Sequence, residues 1–516
     1  MDKEIMKGAQ PQTAQEMYNE LVSIREPYLE RARQSAELTI PALLPQEGQK
    51  GLDLPTPWQS LGASAVNTLS SKVTLTLMPP ATAFFKFELS NETKQTVNAN
   101  GPEAMAQVEQ TLIELEERVM KNIEGTADRV AISEASKQLI VAGNVLIHQP
   151  AKGSMRVFKL NQYVVRRDPS GNPIRIVLKE CISPLALPQE ILDAAHMSGQ
   201  ASKAADGSLD IYTVIQRENI ATFKTYQEIN DMVVEGTEGT IPASSMSYLP
   251  LRWARSDGED YGRSHVEEYL GDFNSLEGLE RAIVEGSAAS AKIVYLRNPG
   301  SATSAEEFSH AENGDVVDGS PQDFVVVQAQ KFADLQVAQA EAAKLEQRLA
   351  RAFLMVSSVQ RQAERVTAEE IRIMAGELEE SLGGIYSTLA LELQLPYIKR
   401  KMALMSQSGE LPQFPPGTLA PTIVTGLAAL GRNAEVAKIM SWANACSSVI
   451  GPEAFAGSVN SDQLLKKFGT GFGVKVNEIV KSAEQMQQEQ QAAQQQSNMQ
   501  TMGPEVIRAQ ANKQQQ

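Results

Sequence analysis

Two helical patterns separated by a break constrain this chain most. Apolar residues recur at Val266, Leu270, Phe273, Leu276, Leu279 and Ile283, in steps of three or four, which places them on one helix face. The pattern then turns small, through Ala282, Gly286, Ser287, Ala288, Ala289, Ser290 and Ala291. Side chains of that size let another backbone approach closely, at some cost in helix propensity for Gly and Ser. Residues 294–330 interrupt the period with Asn298-Pro299-Gly300, Asn313-Gly314-Asp315 and Asp318-Gly319, and the run Phe324-Val325-Val326-Val327 predicts a compact insert containing β-structure. The period returns at Leu335, Ala338, Ala342, Leu345, Leu349, Ala352 and Val356, a heptad-like seam. A helix goes out, an insert sits at the tip, and a second helix comes back.

A second feature follows directly. The polar, basic stretch from Ser357 to Arg365 runs into a strongly specified helix start. Thr367 can cap that helix with Glu370 as its capping-box partner, and Val366 with Ile371 can close over the turn as a hydrophobic staple. Ile371, Met374, Leu378, Leu382, Ile385, Leu389 and Leu393 predict one apolar face, and Pro396 is expected to stop or kink the helix. From Thr367 to Leu395 such a helix would be about 43 Å long. A rigid element of that length would hold the basic loop before it at a fixed place.

Elsewhere, residues 1–90 read as helix, Pro-rich loop and helix, the last with Leu61, Ala65, Leu69 and Val73 on one face. Residues 103–147 read as two helices parted near Gly125. From Val157 to about Tyr248 the texture is β-rich, with runs at Tyr163–Val165, Ile174–Leu178, Ile211–Ile215 and Met232–Val234. Turns are predicted at Pro169–Pro173 and Asp206-Gly207, and a helical insertion near Leu187–His196. Thr422 to about Lys467 reads as further helix. Residues 484–516 are dominated by Gln and read as a solvated helix or flexible tail. The fold class expected is α+β, mainly α.

Composition excludes several functions. The chain has 516 residues, enough for several packing units. No run approaches the roughly 18 apolar residues of a membrane helix, and Met1-Asp2-Lys3-Glu4 does not open a signal peptide, so a soluble, intracellular protein is expected. Only Cys181 and Cys446 are present, so neither a disulfide framework nor a cysteine zinc site is expected. The formal charge of −16 argues against tight wrapping of nucleic acid, though not against a surface that DNA slides past.

Signs of catalysis are weak. There is no Gly-x-x-x-x-Gly-Lys-Ser/Thr loop, and Gly469-Thr470-Gly471-Phe472-Gly473 follows a helical stretch rather than a strand, so it reads as a turn. His148, His196, His265 and His310 make no metal spacing. Asp257, Glu259, Asp260, Glu267 and Glu268 read first as a solvated acidic turn and only secondarily as a cation site. Neither cofactor nor metal is expected.

Several blocks, in order, carry a resemblance. They are Thr56-Pro57-Trp58-Gln59 with Leu61-Gly62-Ala63, Asn67-x-Leu69-x-Ser71-Lys72, Val141-Ala142-Gly143-Asn144-Val145-Leu146 and Tyr163-Val164-Val165-x-Arg167-Asp168. Asp257-Gly258-Glu259-x-Tyr261-Gly262-Arg263-Ser264, Glu267-Glu268-Tyr269-Leu270-Gly271-Asp272, Val359-Gln360-Arg361, Glu364 to Arg372 and Glu392-Leu393-Gln394-Leu395-Pro396 complete the set. Over roughly residues 14–435 the chain resembles the portal proteins, or head-to-tail connectors, of short-tailed bacteriophages (podoviruses).

The resemblance implies a portal fold assembled as a ring of twelve subunits at one capsid vertex. It implies a wing over 1–264, stem helices over 265–293 and 331–356, and a clip over 294–330. A channel loop over 357–366, a long wing helix over 367–408 and a crown over 409–483 follow. Implied sites are Gln360, Arg361 and Arg365 in the DNA-channel loop, and Ala282, Gly286, Ala289, Leu345 and Leu349 in inter-subunit stem packing. Arg297, Asn298, Glu306 and Glu307 would make the clip contact with motor or tail. Arg361 and Arg365 read equally as salt-bridge partners of Glu364 or Glu369. The implied function is non-enzymatic: head assembly, docking of the packaging motor, passage of double-stranded DNA and attachment of the tail. The implied partners are the terminase motor, scaffolding and major capsid proteins, and tail adaptor and internal core proteins, but no membrane. The place is the virion, and host cytoplasm during assembly. Another ring-shaped head-tail adaptor and a nucleic-acid-processing enzyme are the competing readings.

Overall fold

The computed structural model describes residues 12–46, 53–80, 83–99, 101–183, 185, 208–301, 303–327, 332–355, 376, 380–415, 417–424, 439–459 and 464. The chain forms two compact units, one of Met1–Glu88 with Glu117–Ile423, the other of Leu89–Glu116 with Val424–Gln516. The helical insertion expected near Leu187–His196, the turn at Asp206-Gly207, the capped start at Thr367, Gly469–Gly473 and the Gln-rich tail lie outside the described residues.

Helix and strand are mixed in the first unit, and helix is the more abundant of the two among the described residues. Its strands are β1 (Phe85–Leu89), β2 (Asn144–His148), β3 (Arg156–Phe158), β4 (Tyr163–Arg167), β5 (Pro173–Ile182), β6 (Leu209–Arg217), β7 (Thr222–Ile229), β8 (Met232–Val233), β9 (Gly239–Pro242), β10 (Tyr248–Arg252), β11 (Val294–Arg297), β12 (Phe324–Val327) and β13 (Leu419–Ile423). An antiparallel sheet runs β4-β5-β6-β7-β8, with β9 also on β7. Val177 pairs with Val164 on one side and Val214 on the other. These valines share one face because directly paired residues of neighbouring strands point the same way.

That face is covered by the N-terminal helix, Ala14–Glu37. Thr13 and Glu16 form a capping box at its start, with Oγ1 of Thr13 accepting from the Glu16 amide at 3.3 Å and Oε2 of Glu16 accepting from the Thr13 amide at 3.1 Å. Ala14, Met17, Tyr18 and Leu21, at helical spacing, pack on Val164, Val177, Tyr212 and Val214.

A smaller sheet runs β10-β2-β3. Here the structure corrects the sequence reading, which carried helix to Ile147. The helix Asp128–Ala142 ends at Gly143, left-handed at φ 71°, whose amide bonds to the Leu139 carbonyl. Val145, Leu146 and Ile147 are instead a buried strand paired with β10. A short apolar run fits a buried helix and a buried strand equally, and the glycine decides. Thr422 likewise lies on β13, not in a helix.

The outgoing helix, Leu270–Ala291, leads into β11, and the return helix, Phe332–Ala352, follows β12. β11 and β12 pair antiparallel from Val294↔Val327 to Arg297↔Phe324. Between them Ser304 caps a short helix, Ala305–His310, whose Phe308 stacks on Phe324 with ring centroids 4.2 Å apart. In the second unit, helices Asn91–Ala99, the first part of Pro102–Glu124, residues 439–450 and Pro452–Ser458 are described, and Trp442 meets Phe455 edge-on at 5.8 Å.

Candidate functional site

The described residues give no catalytic constellation; they give a joint. The return helix stops at Ala352, and Leu354 turns left-handed at φ 54°. That conformation is unfavourable by about 1–2 kcal/mol for a residue with a Cβ, so neighbours must hold it. Phe353 is fully buried between His265 (4.7 Å between ring centroids), Phe273 (5.6 Å) and Tyr269 (5.9 Å). Nζ of Lys72 donates to the Leu354 carbonyl at 2.8 Å. Nε2 of His265 donates to the Ala352 carbonyl at 3.0 Å, and burial holds its pKa below the ordinary imidazole value, so the ring is neutral at pH 7.

Apart from Gly376, the chain is described again from Glu380. Gly383 stands at φ 30°, and the helix then runs through Gly384–Leu389, a π segment at Ala390–Gln394, and Leu395–Gln407. Pro396 therefore does not stop the helix. Proline has no N–H to give to the carbonyl four residues back. The turn before it widens instead, with the Leu395 amide bonded to the Ala390 carbonyl five residues back.

The wide turn sets Glu392 against Arg252 on β10. Oε1 accepts from Nε at 3.2 Å and also from Nη2, and Oε2 accepts from the Arg252 amide at 3.2 Å. The Arg252 side chain is only 1% exposed. Burial, and the positive charge of Arg252, lower the pKa of Arg167 to about 10. Further along, Asp128 accepts from the Tyr397 hydroxyl at 2.8 Å and pairs with Lys401 at 2.9 Å; burial and that carboxylate hold the Tyr397 pKa above the ordinary phenol range. Nε2 of Gln394 donates to the Leu77 carbonyl at 2.7 Å. Lys72 and Leu77 both belong to the helix Leu61–Leu77. One helix thus anchors the chain on both sides of residues 356–379.

Several of the sequence blocks singled out above are held by contacts between residues far apart in the chain. A Cβ on Gly143 would come 2.7 Å from the backbone of Arg263 and Ser264. Asn144 exchanges two hydrogen bonds with the Gly262 backbone, at 2.7 and 2.8 Å. The Tyr261 hydroxyl accepts from the Val165 amide at 3.0 Å, and Asp260 accepts from the Arg167 amide at 2.6 Å. The Glu277 carboxylate accepts from the amides of Trp58 (2.8 Å) and Gln59 (3.3 Å). The acidic turn proposed as a secondary cation site is engaged by arginines: Glu259 with Arg263 at 2.9 Å, Asp260 with Arg166 at 3.2 Å, and Glu267 with Arg31 at 2.9 Å. Among the described residues no group of three His, Cys, Asp or Glu is placed to hold a metal ion, and no helix is long and apolar enough to cross a membrane.

The expected site residues are scattered. Gln360, Arg361 and Arg365 lie outside the described residues. Ala282 and Ala289 are exposed on the outgoing helix. Gly286 faces the return helix, where a Cβ would come 2.9 Å from Cδ2 of Leu335. Leu345 is half-buried, while Leu349 is fully buried inside the single chain, so its packing is internal. Arg297 and Asn298 at the end of β11, and Glu306 and Glu307 on the short helix, are exposed. Arg297 donates to Ser301 Oγ at 2.9 Å. Sequence reasoning missed the roles of Lys72, Arg252 and Glu392. Glu392 carried a signal, being four residues before a proline inside a helical pattern, but its partner is 140 residues away.

With this geometry in place, the likeness to known proteins has a physical content. The family model of bacteriophage head to tail connecting proteins matches residues 11–480, and the chain belongs to that family. The portal protein of Escherichia phage T7 is 39% identical over 483 residues, covering 92% of this chain and 89% of that protein. The portal protein of Pseudomonas phage phiKMV is 30% identical over 488 residues, covering 92% and 94%. Among solved structures, one described as the neck of an empty GTA particle computed with C6 symmetry is 11% identical, with a TM-score of 0.36 over 74% of this chain and 86% of that one.

Proposed function

We propose that the chain is the portal protein of a short-tailed phage head. The observation that carries this is near-end-to-end identity, 39% over 92% of the chain, to a protein named as a portal. Twelve copies close into a ring by rotation of one heterologous contact. Residues 1–264 with the helix of 367–408 form the wing, 265–293 and 331–356 the stem, 294–330 the clip and 409–483 the crown. The exposed Arg297, Asn298, Glu306 and Glu307 face the terminase motor during packaging and the tail adaptor afterwards. Scaffolding, major capsid and internal core proteins meet other faces. Double-stranded DNA passes along the axis, touched weakly by Gln360, Arg361 and Arg365. The chain does no chemistry of its own. The anchoring of both sides of residues 356–379 to one helix supports a loop held at a fixed radius.

The test is a head-assembly reaction with the motor present, run with and without this chain, scored by nuclease-protected DNA. Protected genome-length DNA is expected only with the chain. Equal protection without it contradicts the reading.

A further inference from the structure

A cavity of about 210 Å³ lies beside the last turns of the helix Leu395–Gln407. Its walls come from stretches of the first unit: Asn122 to Asp128, Gln149 to Met155, Lys401 to Met405, and Ser408 with Glu410. Gln149 follows β2, and its backbone amide donates to the Ser247 carbonyl at 2.8 Å, which continues the pairing of β2 with β10 by one residue. Gln149 is 3% exposed, and its Nε2 and Oε1 are both buried without a hydrogen-bond partner. We infer that the cavity binds a neutral carboxamide, which closes two hydrogen bonds with the Gln149 side chain. That carboxamide belongs either to a small molecule or to an Asn or Gln side chain of another protein. The site stands apart from the portal reading and does not rest on it.

The other polar side chains of the described wall are already matched. Lys401 pairs with Asp128 at 2.9 Å and donates to Asn122 Oδ1 at 3.4 Å. Nδ2 of Asn122 donates to Glu410 at 3.0 Å, and the Ser408 hydroxyl donates to the same carboxylate at 3.1 Å. Oγ1 of Thr126 donates to the Ile123 carbonyl at 2.8 Å. Gln149 is left with both of its functions open. An amide side chain offers donors on nitrogen and an acceptor on oxygen. Its complement carries the same two functions in one plane, which is another amide. The match holds whichever way the Gln149 amide is turned, since both of its ends are open.

Charge and size narrow the ligand further. The buried ions of the wall, Asp128 and Lys401, already neutralise each other. A carboxylate or ammonium beside Gln149 would therefore be buried without a counter-ion, at far greater cost than a neutral group. An apolar ligand would leave both atoms of the Gln149 amide unbonded, which is also unfavourable. The cavity has the volume of about seven waters at their share of the liquid, enough for a carboxamide of a few heavy atoms.

The test is saturation-transfer NMR on the purified full-length chain with propionamide, set against its isosteres propionate and butanone. Saturable transfer to propionamide is expected, with propionate and butanone about tenfold weaker, because each lacks the N–H donor. This arm needs no variant. Gln149→Met keeps the length of the side chain and removes both polar atoms. It should abolish the selectivity while far-UV circular dichroism stays unchanged. Equal transfer to all of the compounds in the wild-type chain overturns the site. Selectivity that survives in the folded Gln149→Met chain overturns it as well. No saturable transfer to any of them also overturns it, and assigns the cavity to water only. Blocked tripeptides then separate the two sources, both of which uphold the site. A Gly-Gln-Gly peptide that displaces propionamide, where Gly-Glu-Gly does not, assigns it to a protein side chain. If neither displaces propionamide, the ligand is a small amide.

Discussion

The six-stranded sheet and the β11–β12 hairpin are made of the same residues and end up in opposite environments. Val164, Val177 and Val214 are each 0% exposed, covered by the N-terminal helix. Leu296, Val325 and Val326 are 56%, 57% and 54% exposed. An apolar side chain left in water forgoes about 1.5–3 kcal/mol of burial. The sheet is therefore complete within one chain, while the hairpin has its strands without its cover. Clustered exposed apolar residues of this kind mark an interaction surface. In the ring proposed above, the next copy would present its own helices and hairpin alongside.

The sharpest way to break this comparison is at the clamp of the complete region. Glu392→Ala leaves Arg252 buried without its counter-ion, and should lower stability to denaturant by about 3–5 kcal/mol. A change within error in urea unfolding would mean that the π turn does not secure β10. Next, Leu178→Ala on β5 should destabilise by about 2–5 kcal/mol, because Leu178 is 1% exposed. Leu296→Ala on β11 should stay within about 0.5 kcal/mol in the unassembled chain. Equal losses from the two would show that the hairpin is covered within one chain.

Smaller per copy is Ala289→Trp, placed on the exposed small-residue face of the outgoing helix. Overpacking a close contact costs about 1–3 kcal/mol, and in a ring it recurs at every interface. The chain should unfold as wild type but fail to close rings by native mass spectrometry; rings at wild-type yield would turn that face away from a neighbour. The smallest effect is expected at Glu259. Its hydrogen bond from Arg263 holds the carboxyl below the ordinary glutamate value of 4.5, against an opposing effect of burial. A folded pKa below the unfolded one gives stability that is present above pH 4.5 and lost as pH falls through the folded value. Glu259→Gln should therefore remove less than about 1 kcal/mol, on the neutral side only. Acid unfolding curves that diverge below that window instead would reverse the sign.

Periodicity carried much of the fold. The outgoing and return helices, the hairpin insert and the strands at β4, β5 and β6 follow from steps of three-four and of two. The limits are physical. Val145–Ile147 is apolar on every position, so no period separates helix from strand. Pro396 looked like a helix end because a one-residue widening of the turn leaves no mark in sequence. The joint itself was visible only as blocks of residues. Asn144 and Gly262, Lys72 and Leu354, Arg252 and Glu392 are far apart in the chain, and no local rule pairs them.

The portal reading proposed above requires that this chain be one part of a closed ring. Native mass spectrometry of the purified full-length protein tests it most directly, over a range of protein and salt concentrations. One dominant closed assembly of twelve copies, formed without DNA or motor, is the expected result. A monomer that persists across all conditions, or an open series of sizes without closure, would contradict it.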